Sequence, residues 1–226
     1  NPLVENVYEM GSIMKALTMA AGLERGIITA STTYTDIGFL LLNGKQIENH
    51  DGKAHGTVTM QEALNKSLNI GAAFVAEKLG RETFRDTMLG FGLGEPSGID
   101  LPNDSKGLIK NLISGRPIEH ATASYGQGIA VSPIAMVRAL SSLANGGILI
   151  KPHVVQEINY ETKLTKVFSP PPLIRSIQPE TAREVTRMLV EAVDKALLEG
   201  KLKMDTYRIA AKTGTAQMSD EGHRGY

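Results

Sequence analysis

The chain has 226 residues, with 24 Lys plus Arg against 24 Asp plus Glu, so its formal net charge is zero. This balance argues against a nucleic-acid-binding protein, which would carry an excess of basic side chains. The absence of cysteine excludes thiol catalysis, thiolate metal sites and a disulfide scaffold. Hydrophobic residues at 42% and charged residues at 21% are typical of a folded globular domain.

The first predicted element is a helix that begins near residues 11–12. Apolar residues follow at helical spacing, and Gly26 lies just past the expected end. Ser12 therefore lies at or near a helix N-terminus, where backbone N–H groups have no partner within the helix. Further along, an Asn-Gly pair at the centre of residues 39–48 predicts a β-hairpin.

The middle of the chain combines helices with a loop-rich stretch. Thr59 and Glu62 match the capping-box pattern that opens a helix. This helix is interrupted near residues 67–69, and a second helix is predicted over residues 72–79. Residues 90–111 hold too many Gly and Pro residues for regular structure.

The last third of the chain holds two more helices and two strand candidates. A Ser-Pro start and an Asn-Gly stop predict a helix within residues 132–146. Residues 148–160 are strand-like, and three prolines at 170–172 predict a stiff connector. The amphipathic helix from Pro179 onward is the clearest in the chain. Residues 207–211 predict a short strand that leads into a Lys-Thr-Gly sequence.

A Ser-x-x-Lys motif at Ser12 and Lys15 places a hydroxyl and an amine on one helix face, one turn apart. A serine hydroxyl is a weak nucleophile unless a nearby base accepts its proton. A lysine can be that base when burial and neighbouring cations lower its pKa. Taken alone, the motif is common by chance and more typical of a capping serine followed by a surface lysine.

Two further short motifs are weak when each is taken alone. Ser-Leu-Asn at residues 67–69 would also suit a helix cap or a turn. Lys-Thr-Gly-Thr at residues 212–215 would also suit the end of a strand. In this order, however, the three motifs resemble the signature of the penicillin-binding protein family.

The surrounding sequence extends the resemblance, in particular to the class B transpeptidases of that family. Residues 8–12 are similar to the family's Glu-Pro-Gly-Ser approach to the nucleophile, with Met10 in place of the usual Pro. Residues 55–59, 91–102 and 125–133 are also similar to class B members. The resemblance therefore covers nearly the whole chain.

The resemblance implies a role for each motif residue. Ser12 would be the acylated nucleophile, and Lys15 would accept its proton. Ser67 would relay protons towards the leaving amine, while Asn69 would hold Lys15 and the substrate amide. Lys212 would supply positive potential and a hydrogen bond to Ser67.

Residues 213–215 would complete the substrate site. Thr213 and Thr215, on either side of Gly214, would bind the substrate carboxylate. The backbone N–H groups of Ser12 and Thr215 would form the oxyanion hole. No cofactor or metal is expected, since the histidines lack zinc-ligand spacing and are expected on the surface or in loops. The five histidines are His50, His55, His120, His153 and His223.

The resemblance also implies a fold and a function. The expected fold is α+β, an antiparallel sheet flanked by helices beside an all-helical lobe, with the site between the lobes. The expected function is a peptidoglycan D,D-transpeptidase that cross-links stem peptides through a Ser12 acyl-enzyme and is acylated by β-lactams. Such a domain would lie outside the cytoplasmic membrane in the bacterial cell envelope, anchored by an upstream membrane helix. Other cell-wall synthesis proteins are candidate partners.

Three alternatives stay open. A D,D-carboxypeptidase differs only in the acceptor. A β-lactamase needs a base for deacylation, and no glutamate loop of the class A kind is evident. A non-catalytic β-lactam sensor or division scaffold is disfavoured because all three motifs are intact.

We expect residues 1–226 to form one incomplete transpeptidase domain. Ser12 follows only eleven residues, and the predicted strand at 207–211 is followed by a polar stretch. A strand that carries a site is normally flanked by paired neighbours. The strands that the family has before Ser12 and after Gln217 would then be missing.

Overall fold

The computed structural model describes residues 1–169 and 173–215, together with the backbone of residues 218–220 and 223–225. The helices in this part are α1 (Met14–Glu24), α2 (Met60–Asn65), α3 (Asn69–Leu79), α4 (Arg81–Gly90), α5 (Lys110–Ile113), α6 (Pro117–Ala123), α7 (Pro133–Ala144) and α8 (Pro179–Lys195). None of these described helices has both the length and the apolar character that a bilayer-spanning helix needs.

The described strands form antiparallel pairs. The first two pairs are β1 (Thr33–Asp36) with β4 (Gly56–Thr59), and β2 (Phe39–Leu42) with β3 (Lys45–Glu48). The others are β5 (Ile148–Leu149) with β8 (Ile174–Arg175), β6 (Glu157–Asn159) with β7 (Thr165–Val167), and β9 (Met218–Asp220) with β10 (His223–Gly225). The predicted α+β class is confirmed, and its antiparallel strands are arranged as two-stranded ladders.

Helix α1 lies at the centre of the core. Every residue from Met14 to Gly22 is buried, and the helix packs against α3 and α8. A helix that is buried on all sides is normally apolar on all sides. Lys15, which is only 1% exposed, is therefore an exception that requires a reason.

The turn that leads into α1 is held by the segment before α7. Tyr8 and Val131 form an antiparallel bridge, and the N–H of Gly11 donates to the carbonyl of Gly126 at 3.3 Å. A side chain at Gly126 would overlap the carbonyl of Gly11. The missing Cβ therefore permits the close approach that fixes the start of α1.

Several local signals in the sequence are confirmed. Asn43 and Gly44 have φ angles of 51° and 72°, as a tight hairpin turn between β2 and β3 requires. Thr59 caps α2 in a complete capping box. Ser132 caps α7 through a hydrogen bond from the N–H of Ala135.

Other predictions are wrong or fall outside the described residues. Residues 148–160 are not one strand but contain β5 and β6, separated by irregular chain. Residues 207–211 form no strand, because within the described part of the chain no ladder pairs with them. The helices α4, α5 and α6 were not predicted, and α5 begins within residues 90–111, where no regular structure was expected. The proline connector at residues 170–172 lies outside the described residues.

The prediction for His120 also needs correction. His120 lies in α6 and is only 9% exposed, rather than on the surface or in a loop. Its Nε2 lies 3.0 Å from the carbonyl oxygen of Ala76, and its ring packs edge-on against Phe84. Because a carbonyl only accepts, Nε2 carries the proton. Burial lowers the pKa of the ring, so His120 is a neutral core residue.

We predict that Gly126→Ala destabilises the fold more than Gly146→Ala. Both glycines have left-handed φ angles, 85° and 81°, so alanine meets a backbone penalty of about 1 kcal/mol at each position. Only at Gly126 does the new Cβ collide with backbone, which adds roughly 1–3 kcal/mol, because the space around Gly146 is open. Urea denaturation measures both free energies of unfolding. Equal losses would contradict the close approach.

Candidate active site

The side chains of Ser12 and Lys15 are in direct contact. Ser12 lies in the 3-10 turn Gly11–Ile13, and Lys15 is the second residue of α1. A hydrogen bond of 3.0 Å joins the Lys15 Nζ and the Ser12 Oγ. The predicted pairing of hydroxyl and amine on one helix face is therefore confirmed.

Ser67 connects this pair to a second lysine. The Lys15 Nζ donates to the Ser67 carbonyl at 2.5 Å and lies 3.1 Å from the Ser67 Oγ. The Lys212 Nζ donates to the same hydroxyl oxygen at 2.8 Å, as the resemblance implied. A continuous chain of hydrogen bonds therefore runs from Ser12 through Lys15 and Ser67 to Lys212.

Burial controls the charge of both lysines. Burial and, secondly, the positive charge of Lys212 hold the pKa of Lys15 well below its usual range. Burial also lowers the pKa of Lys212 to about 8. Lys15 is thus the lysine that gives up its proton, while Lys212 is mostly protonated at pH 7. The lowered pKa favours the neutral amine at Lys15, beside Ser12, while Lys212 on the far side of Ser67 favours the charged form.

Ser67 occupies a strained backbone position. Its φ is +57°, in the left-handed region that favours glycine. The N–H of Ser67 donates to the carbonyl of Leu64 at 3.2 Å, and the N–H of Leu68 donates to that of Ala63 at 2.8 Å. These two bonds are those of the Schellman motif that ends a helix, in which glycine usually stands at the Ser67 position. A serine of the second motif therefore replaces the glycine that would end α2.

Asn69 is the first residue of α3 and lines the same cavity as Ser12. Its amide nitrogen donates to the carbonyl of Glu48 at 2.8 Å. The described hydrogen bonds of Lys15 go to Ser12 and Ser67, so the implied contact between Asn69 and Lys15 is not found. The reason is that the amide of Asn69 is directed towards the hairpin instead.

The third motif passes beside the turn that carries the nucleophile. The Lys212 Nζ lies 3.2 Å from the carbonyl oxygen and 3.4 Å from the hydroxyl oxygen of Thr213. Gly214 packs so closely on this turn that a Cβ would come within 2.8 Å of the Ile13 side chain. Thr215 lines the cavity. The roles of Thr213 and Thr215 in carboxylate binding and in the oxyanion hole stay predictions.

A cavity of roughly 870 Å³ opens at Ser12. Residues 45–52, which comprise β3 and the following loop, line much of it, and Thr122, Tyr125 and Gln127 contribute further. This size suits a peptide or a drug-sized ligand. Within residues 1–169 and 173–215, no three metal-binding side chains lie close enough together to hold an ion.

The hairpin was predicted from the sequence, but its place in the site was not. An Asn-Gly turn signal reports local backbone geometry only. The position of β3 next to Ser12 depends on packing between residues far apart in the chain. No sequence signal therefore marked residues 45–52 as part of the site.

The fold and the hydrogen-bonded serine and lysine define a domain of the serine–lysine type, in which a hydroxyl nucleophile has an amine base. A family model described as the penicillin binding protein transpeptidase domain matches residues 1–226. The chain belongs to this family.

Curated relatives and solved structures agree with this assignment. The chain is 34% identical over 222 residues to Stage V sporulation protein D of Bacillus subtilis, covering 97% of this chain and 34% of that protein. It is 29% identical to the peptidoglycan D,D-transpeptidase FtsI of Escherichia coli K12, covering 96% of this chain and 35% of that protein. The chain therefore spans about a third of the length of these relatives.

Among solved structures, penicillin binding protein 3 from Mycobacterium tuberculosis in complex with aztreonam matches with a TM-score of 0.89 at 26% identity. The match covers 98% of this chain and 51% of that chain. The TP domain of penicillin-binding protein 3 from Burkholderia pseudomallei matches with a TM-score of 0.82 at 29% identity. This match covers 100% of this chain and 66% of that chain.

We predict that Ser67→Gly is more stable than Ser67→Ala by about 1 kcal/mol, because glycine adopts the left-handed backbone without strain. Both substitutions remove the hydroxyl, so their difference isolates the backbone. Thermal and urea unfolding measure it.

The matched control is the same pair of substitutions at Ser142, a buried residue inside α7. There the order should reverse, with alanine more stable than glycine by about 1 kcal/mol. If the order at Ser67 also favoured alanine, the strain at Ser67 would be refuted.

Proposed function

We propose that this domain is the acyl-transfer domain of a peptidoglycan D,D-transpeptidase, acting on the D-Ala-D-Ala end of a stem peptide. The observation that carries the proposal is the buried Lys15 amine, with its lowered pKa, 3.0 Å from the Ser12 Oγ. A neutral amine in this position is a base in contact with the hydroxyl that it activates. The printed name of the Escherichia coli relative, a peptidoglycan D,D-transpeptidase, supports the choice of substrate.

In the proposed mechanism Lys15 reacts as a neutral amine, with three oxygens around its Nζ. A neutral amine has two N–H donors and one lone pair. The carbonyl of Ser67 takes one donor at 2.5 Å, and the Ser67 Oγ takes the other at 3.1 Å. The lone pair is then left to accept the proton of the Ser12 hydroxyl, whose Oγ lies 3.0 Å from the Nζ. A positively charged Lys15 could not accept this proton.

Acylation then balances as follows. The Ser12 Oγ attacks the carbonyl carbon of the penultimate D-Ala, and its proton passes to the Lys15 Nζ. The proton reaches the leaving nitrogen by way of the Ser67 Oγ, which contacts both lysines. The C–N bond breaks, terminal D-Ala leaves as an amine, and Ser12 keeps the acyl group as an ester.

Deacylation reverses these proton transfers with a new nucleophile. The amine of a second stem peptide attacks the ester carbonyl and loses a proton to the same relay. The ester C–O bond breaks, Ser12 regains its proton, and a new peptide bond joins the two stems. The cavity at Ser12, with its wall of residues 45–52, provides room for peptide on this side of the nucleophile.

We also propose that β-lactams acylate Ser12, since the Mycobacterium tuberculosis relative was solved in complex with aztreonam and with ampicillin. The proposed substrate places the domain in the bacterial cell envelope, outside the cytoplasmic membrane. The membrane anchor, the partners in cell-wall synthesis and the incompleteness of the domain stay predictions.

We predict that Ser12 is the residue acylated by labelled penicillin. Intact-mass measurement should show one added drug mass on the unchanged chain and none on Ser12→Ala. The matched control is Ser31→Ala, in the loop before β1, which should label like the unchanged chain. A drug mass on Ser12→Ala would show that another residue is the nucleophile.

A stem-peptide donor with an added amine acceptor separates the alternatives. Cross-linked product supports the transpeptidase, and hydrolysis alone would indicate a D,D-carboxypeptidase. Release of hydrolysed drug would indicate a β-lactamase. Stable penicillin labelling without peptide turnover would indicate a sensor.

We predict a bell-shaped pH dependence of the penicillin acylation rate. As the pH falls, Lys15 becomes protonated and cannot accept the Ser12 proton, which gives the acid limb. As the pH rises past about 8, Lys212 loses its charge, which gives the basic limb. Because the charge of Lys212 helps to lower the pKa of Lys15, Lys212→Met should move the acid limb to higher pH.

Stopped-flow measurement of the second-order acylation rate across the pH range tests this prediction. The matched control is Lys203→Met, at an exposed lysine, which should leave both limbs in place. An acid limb that does not move in Lys212→Met would contradict the electrostatic coupling of the two lysines.

A further inference from the structure

A buried hydrogen-bond network lies behind the Ser67 turn, outside the three motifs. Asp36 ends β1 and is 1% exposed, and Asn49 follows β3 and is 3% exposed. The Asn49 Nδ2 donates to both carboxylate oxygens of Asp36, at 3.0 and 2.8 Å, and to the carbonyl of Lys53 at 3.1 Å. Two polar side chains are thus buried and paired next to the site.

Asp36 determines which way the Asn49 amide faces. Its carboxylate also accepts from the Tyr34 hydroxyl at 3.1 Å and from the N–H of Gly38 at 2.7 Å. The backbone carbonyl of Lys53 accepts hydrogen bonds but cannot donate them. The NH₂ of Asn49 must therefore point towards Asp36 and Lys53, and its oxygen points away from them.

The Asn49 oxygen holds the start of α3. It accepts from the N–H of Ile70 at 3.2 Å. The first N–H groups of a helix need acceptors, and the N-cap residue Leu68 makes no side-chain cap bond. Asn49 provides from a different element the acceptor that an N-cap side chain would supply. The neighbouring Glu48 carbonyl accepts from the Asn69 side chain, so two successive residues of α3 are bound to the end of β3.

The Ser67 turn is thus held from both sides. The Schellman bonds to α2 hold the side before Ser67, and Asn49 holds the side after it. A strained backbone conformation persists only where its surroundings over-determine it. We propose that Asn49, oriented by Asp36, is a positioning residue that keeps Ser67 in contact with Lys15 during acyl transfer. The inference rests on the proposed function.

Loss of this support has a specific electrostatic consequence. The Ser67 carbonyl and hydroxyl are the acceptors of the Lys15 amine, at 2.5 and 3.1 Å. If the turn relaxes, water reaches the amine and favours its charged form. The pKa of Lys15 then rises, and the acid limb of the acylation profile moves to higher pH. A loss of stability elsewhere in the fold would not produce this movement.

Asn49→Ala in the full chain is the first test. The second-order rate of penicillin acylation should fall about tenfold to a hundredfold, because small misplacements in a site have effects of this size. The acid limb should move to higher pH. A rate within about twofold of the unchanged chain, with the limb in place, would overturn the proposal.

Asn145→Ala is the matched control. The Asn145 amide also bonds on both sides, donating to the carbonyl of Ile148 at 2.8 Å and accepting from its N–H at 2.9 Å. It lies at the end of α7 and is not among the residues that line the cavity. This variant should keep its rate within about twofold and its acid limb in place. A shift equal to that of Asn49→Ala would overturn the proposal.

An exchange of the two side chains keeps the test decisive if Asn49→Ala does not fold. Asn49→Asp alone places two carboxylates together, and Asp36→Asn alone places two amides together. The double variant restores one amide facing one carboxylate, with an oxygen still available to Ile70. It should acylate faster than Asn49→Asp, because both place an oxygen opposite the Lys53 carbonyl and only the single variant also places two carboxylates together. A double variant no faster than Asn49→Asp would overturn the proposal.

Hydrogen exchange at the Ile70 amide separates this inference from the proposed function. The amide should be protected in the unchanged chain and in Asn145→Ala, and should lose protection in Asn49→Ala. This measurement needs no acylation. It therefore tests the positioning role even if penicillin does not label the unchanged chain. An absence of labelling would contradict the proposed function and leave this test intact. Full protection of Ile70 in Asn49→Ala would overturn the positioning role.

Discussion

The chemistry of this site depends on the burial of one lysine side chain. Removing an ammonium group from water is strongly unfavourable. Lys15 lies in α1, where every residue from Met14 to Gly22 is buried. Burial lowers the pKa of Lys15 and so favours its neutral amine, and Ser67 provides the acceptors of its N–H groups. The base therefore exists because the core excludes water. Any change that admits water to the amine raises the pKa of Lys15 and reduces its neutral fraction, even when every motif residue is retained.

The need for acceptors inside the core accounts for the strain at Ser67. A buried amine requires partners at fixed positions, and the Ser67 turn presents both a carbonyl and a hydroxyl oxygen to it. Ser67 presents both from the left-handed backbone that ends α2, with φ at +57°. A glycine would adopt this backbone more easily but would lack the hydroxyl. Strain of about 1 kcal/mol does not exceed the cost of an unpaired buried polar group, which is roughly 1–3 kcal/mol.

Features that depend on contacts between residues close together in the chain were predicted well from the sequence. The start of α1, the capping box at Thr59 and the hairpin turn at Asn43 each depend on contacts within a few residues, and all three are confirmed. The motif residues were found because their spacing resembles a known family. Contacts between distant segments could not be predicted in this way. No local pattern encodes the packing that orients Asn69 or the support of Ser67 by Asn49. The same is true of the absence of a strand at residues 207–211.

The two lysines show how the fold assigns different chemistry to identical side chains. Both contact the Ser67 Oγ, at 3.1 Å from Lys15 and 2.8 Å from Lys212. They differ in burial, since Lys15 is 1% exposed and Lys212 lies in a partly exposed segment. The more exposed lysine keeps its proton at pH 7, and its charge in turn makes protonation of the buried one less favourable. Ser67 lies between a neutral amine and a cation, so a proton can be accepted on one side while developing negative charge is stabilised on the other. An arrangement with both lysines buried, or both exposed, would lose this difference and with it the direction of proton transfer.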